Sequence, residues 1–192
     1  QDNYPLMITD LFVTTYGFEE CKSMHSFGPA IREYYLLHFV YEGSGVFKNS
    51  TGTFHINPGD VFAIHPDELT YYCADKDNPW KYQWVGFKGI NAQYILSEMS
   101  VSKAFPVISV KDILKIKKSF EILNSVNPVD GFSSLGTSGA LCLILHNLLN
   151  EVNKVQNKMQ FAASSFINKS LSYFENNYPF QISVDSLSKY LG

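Results

Sequence analysis

Short apolar runs separated by turn residues fill the first half of the chain. Between Tyr34 and Phe87 these runs are rich in tyrosine, phenylalanine, valine and isoleucine. Turn sequences such as Pro58-Gly59-Asp60, which favour a reversal of the chain, stand between them. The predicted strands are YYLLHFVY (34–41), TFHI (53–56), VFAIH (61–65), TYYCA (70–74) and WKYQWVGF (80–87). Short strands in regular succession predict an antiparallel barrel or a sandwich of the jelly-roll kind.

The apolar spacing becomes helical after Gly89. One helix is predicted after Asp112, an N-cap candidate, and another over roughly residues 135–155. The second helix is apolar on more than one face, which suits contacts with its own domain and with a second subunit. We therefore expect a homodimer, and the alternative is a single amphipathic helix lying on the barrel. The expected interface residues, spaced like a coiled-coil seam, are Leu141, Leu145, Leu148 and Val152.

The C-terminal residues predict two more helical segments. One carries Ile167, Leu171, Phe174 and Tyr178, and the next begins after the N-cap candidate Ser183. Segments this short do not bury an apolar face by themselves, so we expect the chain to stop inside a further domain. The predicted domains are a barrel with an N-terminal arm (1–90), a helical dimerisation segment (91–158) and the start of a third domain (159–192).

Composition favours a packed globular protein without a basic surface. Of the 192 residues, 45% are hydrophobic and 15% are aromatic, and the net charge is -3. This charge gives no electrostatic sign of nucleic-acid binding. Cys21, Cys73 and Cys142 are too dispersed for a disulfide framework or a Cys-x-x-Cys motif. Since no secretory signal or membrane-length apolar run occurs, we expect a cytoplasmic protein with no membrane contact.

The segment DNPWKYQWVGF (77–87) concentrates aromatic residues. It holds both tryptophans of the chain, Trp80 and Trp84, with Tyr82 between them. Because alternate residues of a strand share a face, Tyr82 and Trp84 are predicted to point the same way. Such rings pack against the C–H face of a sugar, whose hydroxyls need polar partners once buried. The candidate polar partners are Arg32, His38, Tyr72 and Asp75, and Trp80 is expected near the rim. The alternative is that these rings only fill the core.

The sequence offers little support for a metal site or for catalysis. There is no His-x-His motif, and His38, His55 and His65 lie on three different predicted strands. Neither a Gly-x-Ser-x-Gly elbow nor a glycine-rich phosphate loop is present. We expect no metal, no cofactor and no catalytic residue. A cupin-fold metal enzyme acting on a small molecule is the alternative.

Three segments carry a family resemblance. GPAIREYYLLHFVYEGSGVF (28–47) and NPGDVFAIHPDELTYYCADKDNPWKYQWVGFKG (57–89) resemble the sugar-binding and dimerisation domain of AraC-family transcription regulators. The likeness is strongest to the branch that controls raffinose and multiple-sugar utilisation. YFENNYPFQISVDSLSKYLG (173–192) resembles the opening of the family's DNA-binding domain, which contains two helix-turn-helix units. The resemblance implies an α+β protein: a cupin-like antiparallel jelly-roll barrel, then two helices that form an antiparallel coiled-coil dimer contact.

The same resemblance implies a sugar-responsive regulator of carbohydrate-utilisation genes that acts as a homodimer. Its DNA would be bound by the part of the protein beyond Gly192. In the arabinose-type relative, an N-terminal arm covers the pocket. The corresponding segment of this chain is Gln1–Asp10. Positions matching that relative's sugar-facing residues are Tyr72, Tyr82 and Trp84, whereas Arg32, His38, Asp75 and Trp80 belong to the raffinose-type pattern.

Overall fold

The computed structural model describes residues 11–126, 135–152, 170, 173–174 and 183–191. The chain divides into two compact units, Gln1–Val152 and Asn153–Gly192. The predicted N-terminal arm, the loop at 127–134 and most of the predicted helix around 167–178 lie outside the described residues. The domain boundaries at 90 and 158 stay predictions.

Two antiparallel sheets form the barrel of the first unit. The first sheet contains, in spatial order, β1 (Phe12–Glu20), β8 (Lys81–Lys88), β3 (Tyr35–Glu42), β6 (Asp60–Ile64) and β9 (Val107–Ser109). The second contains β2 (Ser26–Ala30), β7 (Thr70–Ala74), β4 (Gly45–Asn49) and β5 (Gly52–Ile56). All strand pairings within these sheets are antiparallel. The predicted α+β architecture, an antiparallel jelly-roll barrel followed by helices, is confirmed.

Four strands were not predicted from the sequence: β1, β2, β4 and β9. β1 and β2 lie at the edges of the two sheets, and β9 is only three residues long. β1 contains Gly17, which weakens a strand signal. β2 contains Gly28-Pro29, a pair that favours a turn and is tolerated in a strand mainly at an edge. Edge position therefore explains why β1 and β2, with weak strand signals, form strands here.

The central strands of the first sheet are buried on both faces. Alternate residues such as Leu36 and Val40 face the barrel interior, where they join the apolar cluster that includes Tyr82. Leu37 and Phe39 belong to a second cluster on the opposite face. The predicted alternation, with Tyr82 and Trp84 on one face and Val85 and Phe87 on the other, is confirmed. The barrel thus has an inner core and an outer, helix-covered core.

Helices α1 (Ala92–Glu98), α2 (Ile113–Ser125) and α3 (135–152) supply the cover of the outer core. The predicted interface residues Leu141, Leu145, Leu148 and Val152 are at most 4% exposed in the single chain. They belong to the outer core together with Leu37, Phe39 and Val85, so they are not surface positions open to a second subunit. Helical spacing identifies a buried stripe but does not say which surface covers it. For these four residues, the amphipathic helix on the barrel is the description that fits.

A different stripe of α3 is exposed. Its residues are Leu135, Gly139, Leu143, His146 and Asn150, which recur at intervals of three or four. Leu135 is 54% exposed and Leu143 is 42% exposed. A Cβ atom added at Gly139 would meet no atom of the described residues within 4 Å. This outer face of α3 is therefore partly apolar and is not covered by any of the described residues.

The described part of the second unit includes α4 (Val184–Leu191). The backbone N–H of Ser186 donates to Ser183 Oγ at 3.1 Å, so the predicted N-cap is confirmed. Asp185 lies in the first turn and Lys189 in the last, each at the end of the helix dipole that favours its charge. None of the described helices is both long enough and apolar enough to cross a membrane.

Candidate ligand-binding cavity

A cavity of about 260 Å³, partly open to solvent, lies between the two sheets and includes residues of β1 and β2 in its wall. Five of its lining residues were predicted from the sequence: Arg32, His38, Tyr72, Tyr82 and Trp84. Six others were not: Thr15, Glu19, His25, Phe27, Tyr34 and Leu36. The cavity is thus lined by aromatic rings together with cationic, anionic and neutral polar groups.

Strand register explains why the interior is hollow on this side. Gly17, Trp84, His38 and Phe62 are successive neighbours in one row across the first sheet. A Cβ atom added at Gly17 would clash with the six-membered ring of Trp84, so this indole lies over the β1 backbone. At the other end of the row, Phe62 stacks on Phe47 of the second sheet, with ring centroids 5.0 Å apart. Side chains of this row therefore fill the interior beside β6, whereas space for a cavity remains on the side of β1.

Arg32 supplies positive charge to the cavity wall. Its guanidinium carbon lies 4.5 Å from the ring centroid of Phe27, close enough for a cation–π interaction. Its Nη2 group donates to the hydroxyl of Tyr72 at 3.4 Å. The buried Nη1 atom has no hydrogen-bond partner among the described residues. A ligand oxygen that reached this atom would remove the cost of leaving a polar group unpaired, on the order of 1–3 kcal/mol.

His38 lies deeper in the wall and is 1% exposed. Its ring stacks on Phe62 with centroids 4.4 Å apart, and its Nδ1 has no hydrogen-bond partner in the described part of the chain. Burial, and secondarily the charge of Arg32, hold the pKa of His38 well below its ordinary value. The imidazole is therefore neutral near pH 7, and it offers one donor and one acceptor.

Glu19 supplies negative charge at the cavity wall formed by β1. Its Oε1 atom lies 3.2 Å from His25 Nε2, and its Oε2 atom accepts a hydrogen bond from the hydroxyl of Tyr82 at 3.2 Å. Burial, and after it the neighbouring Tyr72, Cys21 and Glu19, raise the pKa of Tyr82, so this phenol stays protonated and can donate. A cavity that combines a guanidinium, a carboxylate and several rings suits a neutral, polyhydroxylated ligand.

The AraC-like ligand binding domain family matches residues 12–158. The chain belongs to this family. The Msm operon regulatory protein of Streptococcus mutans is 30% identical over 184 residues, which cover 95% of this chain and 66% of that protein. The raffinose operon transcriptional regulatory protein of Pediococcus pentosaceus is 25% identical, with 93% and 66% covered. The lactose operon transcription activator of Staphylococcus xylosus is 23% identical, with 80% and 56% covered.

These relatives confirm the resemblance to the sugar-utilisation branch of the AraC family. The AraC-like chain spans just under two thirds of the length of the first two relatives. All three are named as regulators or activators, so the alternative of a cupin-fold metal enzyme gains no support.

Two predicted site residues of the AraC-like domain lie outside the cavity, and the first is Trp80. It is 0% exposed, and its ring stacks near Phe62 with centroids 5.8 Å apart. A Cβ atom added at Gly45 would clash with its indole, so Trp80 is clamped between the two sheets. The expectation that Trp80 lies at the rim is wrong, because strand alternation gives the face of a residue but not its depth.

Asp75 is the second predicted site residue that lies outside the cavity. Its side chain is exposed on the outside of the barrel, and Oδ1 accepts hydrogen bonds from the backbone N–H groups of Asp77 (2.8 Å) and Asn78 (2.9 Å). The bond from Asn78, and then that from Asp77, lower the pKa of Asp75. Asp75 therefore holds the turn before β8, as aspartate commonly does, and is not placed to contact a ligand in the cavity.

Three of the six unpredicted lining residues lie on strands that were not predicted. Thr15 and Glu19 share a face of β1 with Gly17, and Phe27 belongs to β2. Trp84 Nε1 donates to Thr15 Oγ1 at 3.5 Å, the outer limit for such a bond. The alternation of Thr15, Gly17 and Glu19 is the only signal in the sequence for this wall, and it is weaker than the aromatic alternation of β8.

Proposed function

We propose that this AraC-like domain is the sugar-sensing part of a DNA-binding transcription regulator that controls carbohydrate-utilisation genes. The observation that carries the proposal is the open cavity, in which the Trp84 ring stands with Arg32 and Glu19. The names of the relatives, which refer to the raffinose and lactose operons among others, support a sugar as the class of effector.

The chemistry of the lining supports a neutral sugar. The Trp84 and Tyr34 rings offer flat apolar surface for the C–H face of a pyranose. Arg32 and Glu19 offer a donor group and an acceptor group for its hydroxyls. The volume of about 260 Å³ is slightly below the usual range for drug-sized ligands, which suits a small sugar or one end of a larger one.

Calorimetric titration with mono-, di- and trisaccharides, α-galactosides included, tests this proposal. We expect one sugar per chain for at least one member of the panel. A sugar at about 100 times its Kd should also raise the free energy of unfolding by about 2.7 kcal/mol. Absence of both heat and thermal stabilisation across the panel would contradict sugar sensing.

Arg32, the only arginine of the chain, gives a sharper version of this test. Arg32→Met keeps the length of the side chain but removes the donors, so affinity should fall about tenfold to 100-fold. Lys88→Met is the matched control, because Lys88 pairs with Glu33 at 3.6 Å and does not line the cavity. Equal losses in both variants would argue against a specific role for Arg32.

We also propose that the domain forms a homodimer through the outer face of α3. This is supported by the order Leu135, Gly139, Leu143, with a small residue between two exposed leucines. In a two-fold, antiparallel pair of helices, each leucine could pack near the glycine of the partner. The inner stripe of α3 is not available for this contact, since it is buried against the barrel.

Leu143→Glu tests the dimer, because it introduces a charge into the proposed apolar contact. Light scattering should show a shift toward monomer, with the dimer Kd raised at least about tenfold. Leu69→Glu is the matched control, since Leu69 is 57% exposed on a barrel loop. A monomeric wild-type chain, or a dimer unaffected by Leu143→Glu, would contradict this interface.

The remaining parts of the proposal concern the whole protein. We assign DNA binding to a region beyond Gly192, with residues 159–192 as the start of that DNA-binding domain, and we propose a cytoplasmic location. The net charge of -3 supports weak DNA binding by this chain alone. Mobility-shift assays should then detect binding by the full regulator at concentrations where residues 1–192 give none, and equal binding by both would contradict this division.

A further inference from the structure

Glu19, Cys21 and His25 bring a carboxylate, a thiol and an imidazole together where β1 ends and β2 begins. One donor atom from each residue lies within 4.8 Å of the donor atoms of the other two. Glu19 Oε1 and His25 Nε2 are already 3.2 Å apart. We propose that these three residues bind a divalent transition-metal ion of the zinc class.

The distances fit such an ion after a small movement. Zinc binds sulfur at about 2.3 Å and nitrogen or oxygen at about 2.0–2.2 Å, so tetrahedral donor atoms lie about 3.5 Å from each other. The Glu19–His25 pair is already near this separation. Cys21 Sγ therefore has to approach the pair by a distance on the order of 1 Å, which a side-chain rotation can supply.

The ligand-bearing segment is held in place by its backbone. Cys21 N donates to Trp80 O at 3.1 Å, and Ala74 N donates to His25 O at 2.8 Å. These two bonds tie both ends of the segment to the second half of the barrel. The hydroxyl of Tyr82 orients the Glu19 carboxylate from behind. Metal sites commonly have such hydrogen bonds around their ligands, which fix the ligand positions.

The donor set suits zinc and similar ions. Sulfur, nitrogen and oxygen ligands together favour a borderline-soft cation over magnesium or calcium. Burial, and then the charge of Glu19, raise the pKa of the Cys21 thiol to about 11, so without metal the group is a neutral thiol. Binding forms the metal–sulfur bond and releases the thiol proton to solvent. Glu19 and His25 also line the cavity, so a fourth ligand can reach the ion from solvent.

This inference revises the prediction that the chain has no metal site. The chain has no His-x-His motif, and these ligands instead follow Glu-x-Cys and Cys-x-x-x-His spacings. A strand end and a turn bring them together, so the arrangement depends on β1, a strand that was not predicted. The proposal does not depend on sugar binding, because all three ligands belong to one continuous segment.

Cobalt titration of the reduced 192-residue chain tests the proposal. We expect one Co²⁺ per chain and the near-ultraviolet charge-transfer absorption of a cobalt thiolate, and Zn²⁺ should displace the cobalt. Cys21→Ser should abolish this absorption and weaken binding more than about 100-fold, because loss of a direct ligand exceeds loss of a supporting hydrogen bond. Cys142→Ser, the matched control on α3, should keep both the absorption and the affinity.

His25→Ala provides an independent variant, because the His25 side chain is 40% exposed and its removal leaves the core intact. It should weaken cobalt and zinc binding about as much as Cys21→Ser, and it decides the matter if Cys21→Ser fails to fold. The absence of a thiolate absorption in the wild-type chain would overturn the proposal. So would cobalt affinity that is unchanged in His25→Ala, or an absorption that is lost in Cys142→Ser.

Discussion

The barrel interior has two ends that are built from similar side chains and are filled differently. At the closed end, Trp80 and Phe62 pack together between the sheets, and Trp80 has no exposed surface. At the open end, Trp84 borders the cavity. Both indoles lie against a glycine, Gly45 for Trp80 and Gly17 for Trp84. What differs is the opposite side of each ring, because Phe62 covers Trp80 whereas the cavity adjoins Trp84.

This difference shows that the neighbours of an aromatic residue in a barrel strand decide its role. The ring either packs in the core or lines the cavity. Trp80 and Trp84 are four positions apart and come from one motif. The closed end should therefore govern stability, and the open end should govern ligand affinity. The following substitutions test that division.

Trp80→Ala should have the largest effect on folding. Removing a fully buried indole leaves a cavity in the closed end, so the free energy of unfolding should fall by about 3–5 kcal/mol. Urea denaturation followed by circular dichroism measures this loss. A loss below about 1 kcal/mol would show that the closed end is not tightly packed.

Gly17→Ala tests how the open end is kept open. The added methyl group would clash with the Trp84 ring and push the indole into the cavity. Stability should fall by about 1–3 kcal/mol, and sugar affinity should fall with it. In the control variant Gly52→Ala, the new Cβ comes no closer than 3.9 Å to its nearest neighbour, and affinity should be unchanged. Normal sugar binding by Gly17→Ala would mean that the position of Trp84 is unimportant.

Trp84→Ala should affect binding more than folding. Loss of the stacking surface should weaken sugar binding about tenfold, equivalent to about 1.4 kcal/mol, by calorimetry. Because Trp84 is only partly buried, its stability loss should be smaller than that of Trp80→Ala. Trp84→Phe retains a ring and should recover part of the affinity. If Trp84→Ala instead matched Trp80→Ala in stability and bound sugar normally, Trp84 would be a filler.

The stability of the fold is expected to depend on pH through His38, which lies between the closed end and the open end. His38 contacts Phe62 of the closed end and lines the cavity, and burial lowers its pKa well below the ordinary value. The unfolded chain therefore takes up a proton below about pH 6.5 that the folded chain does not. Stability should fall as pH decreases below that value, by at most about 1.4 kcal/mol per pH unit for each such histidine.

His65, whose pKa is also lowered by burial, acts in the same direction. His38→Gln should therefore reduce the pH slope without removing it, as measured by urea denaturation between about pH 7.5 and pH 5.5. A slope in His38→Gln equal to that of the wild-type chain would show that His38 is not buried in its neutral form.

The sequence predicts most of the barrel but only part of the site, for a physical reason. The apolar runs between turn residues predict strands close to their observed bounds, and the run 70–74 coincides with β7 (Thr70–Ala74). Most lining residues on such strands, among them His38 and Tyr82, are therefore identified, although Leu36 beside His38 is not. Thr15 and Glu19 were missed because an edge strand that contains glycine has a weak signal.

The sequence pattern also does not predict how deeply a side chain is buried or which surface packs against a helix. The clamping of Trp80 depends on Gly45, which is distant in the chain and is brought close by the fold. The stripe of α3 that contains Leu141 and Leu145 has the spacing of a dimer seam, but the outer face of the first sheet covers it. Periodicity reports that a face is buried, whereas tertiary structure determines what buries it.

Sugar titration of single-tryptophan variants tests the contrast between the two ends most directly. In Trp80→Phe, Trp84 is the only indole of the chain, and its fluorescence should change saturably with the same Kd that calorimetry reports. In Trp84→Phe, the remaining Trp80 should give little or no change. A sugar that binds by calorimetry without changing Trp84 emission, or a signal that comes from Trp80 instead, would contradict the assignment of the open end as the ligand site.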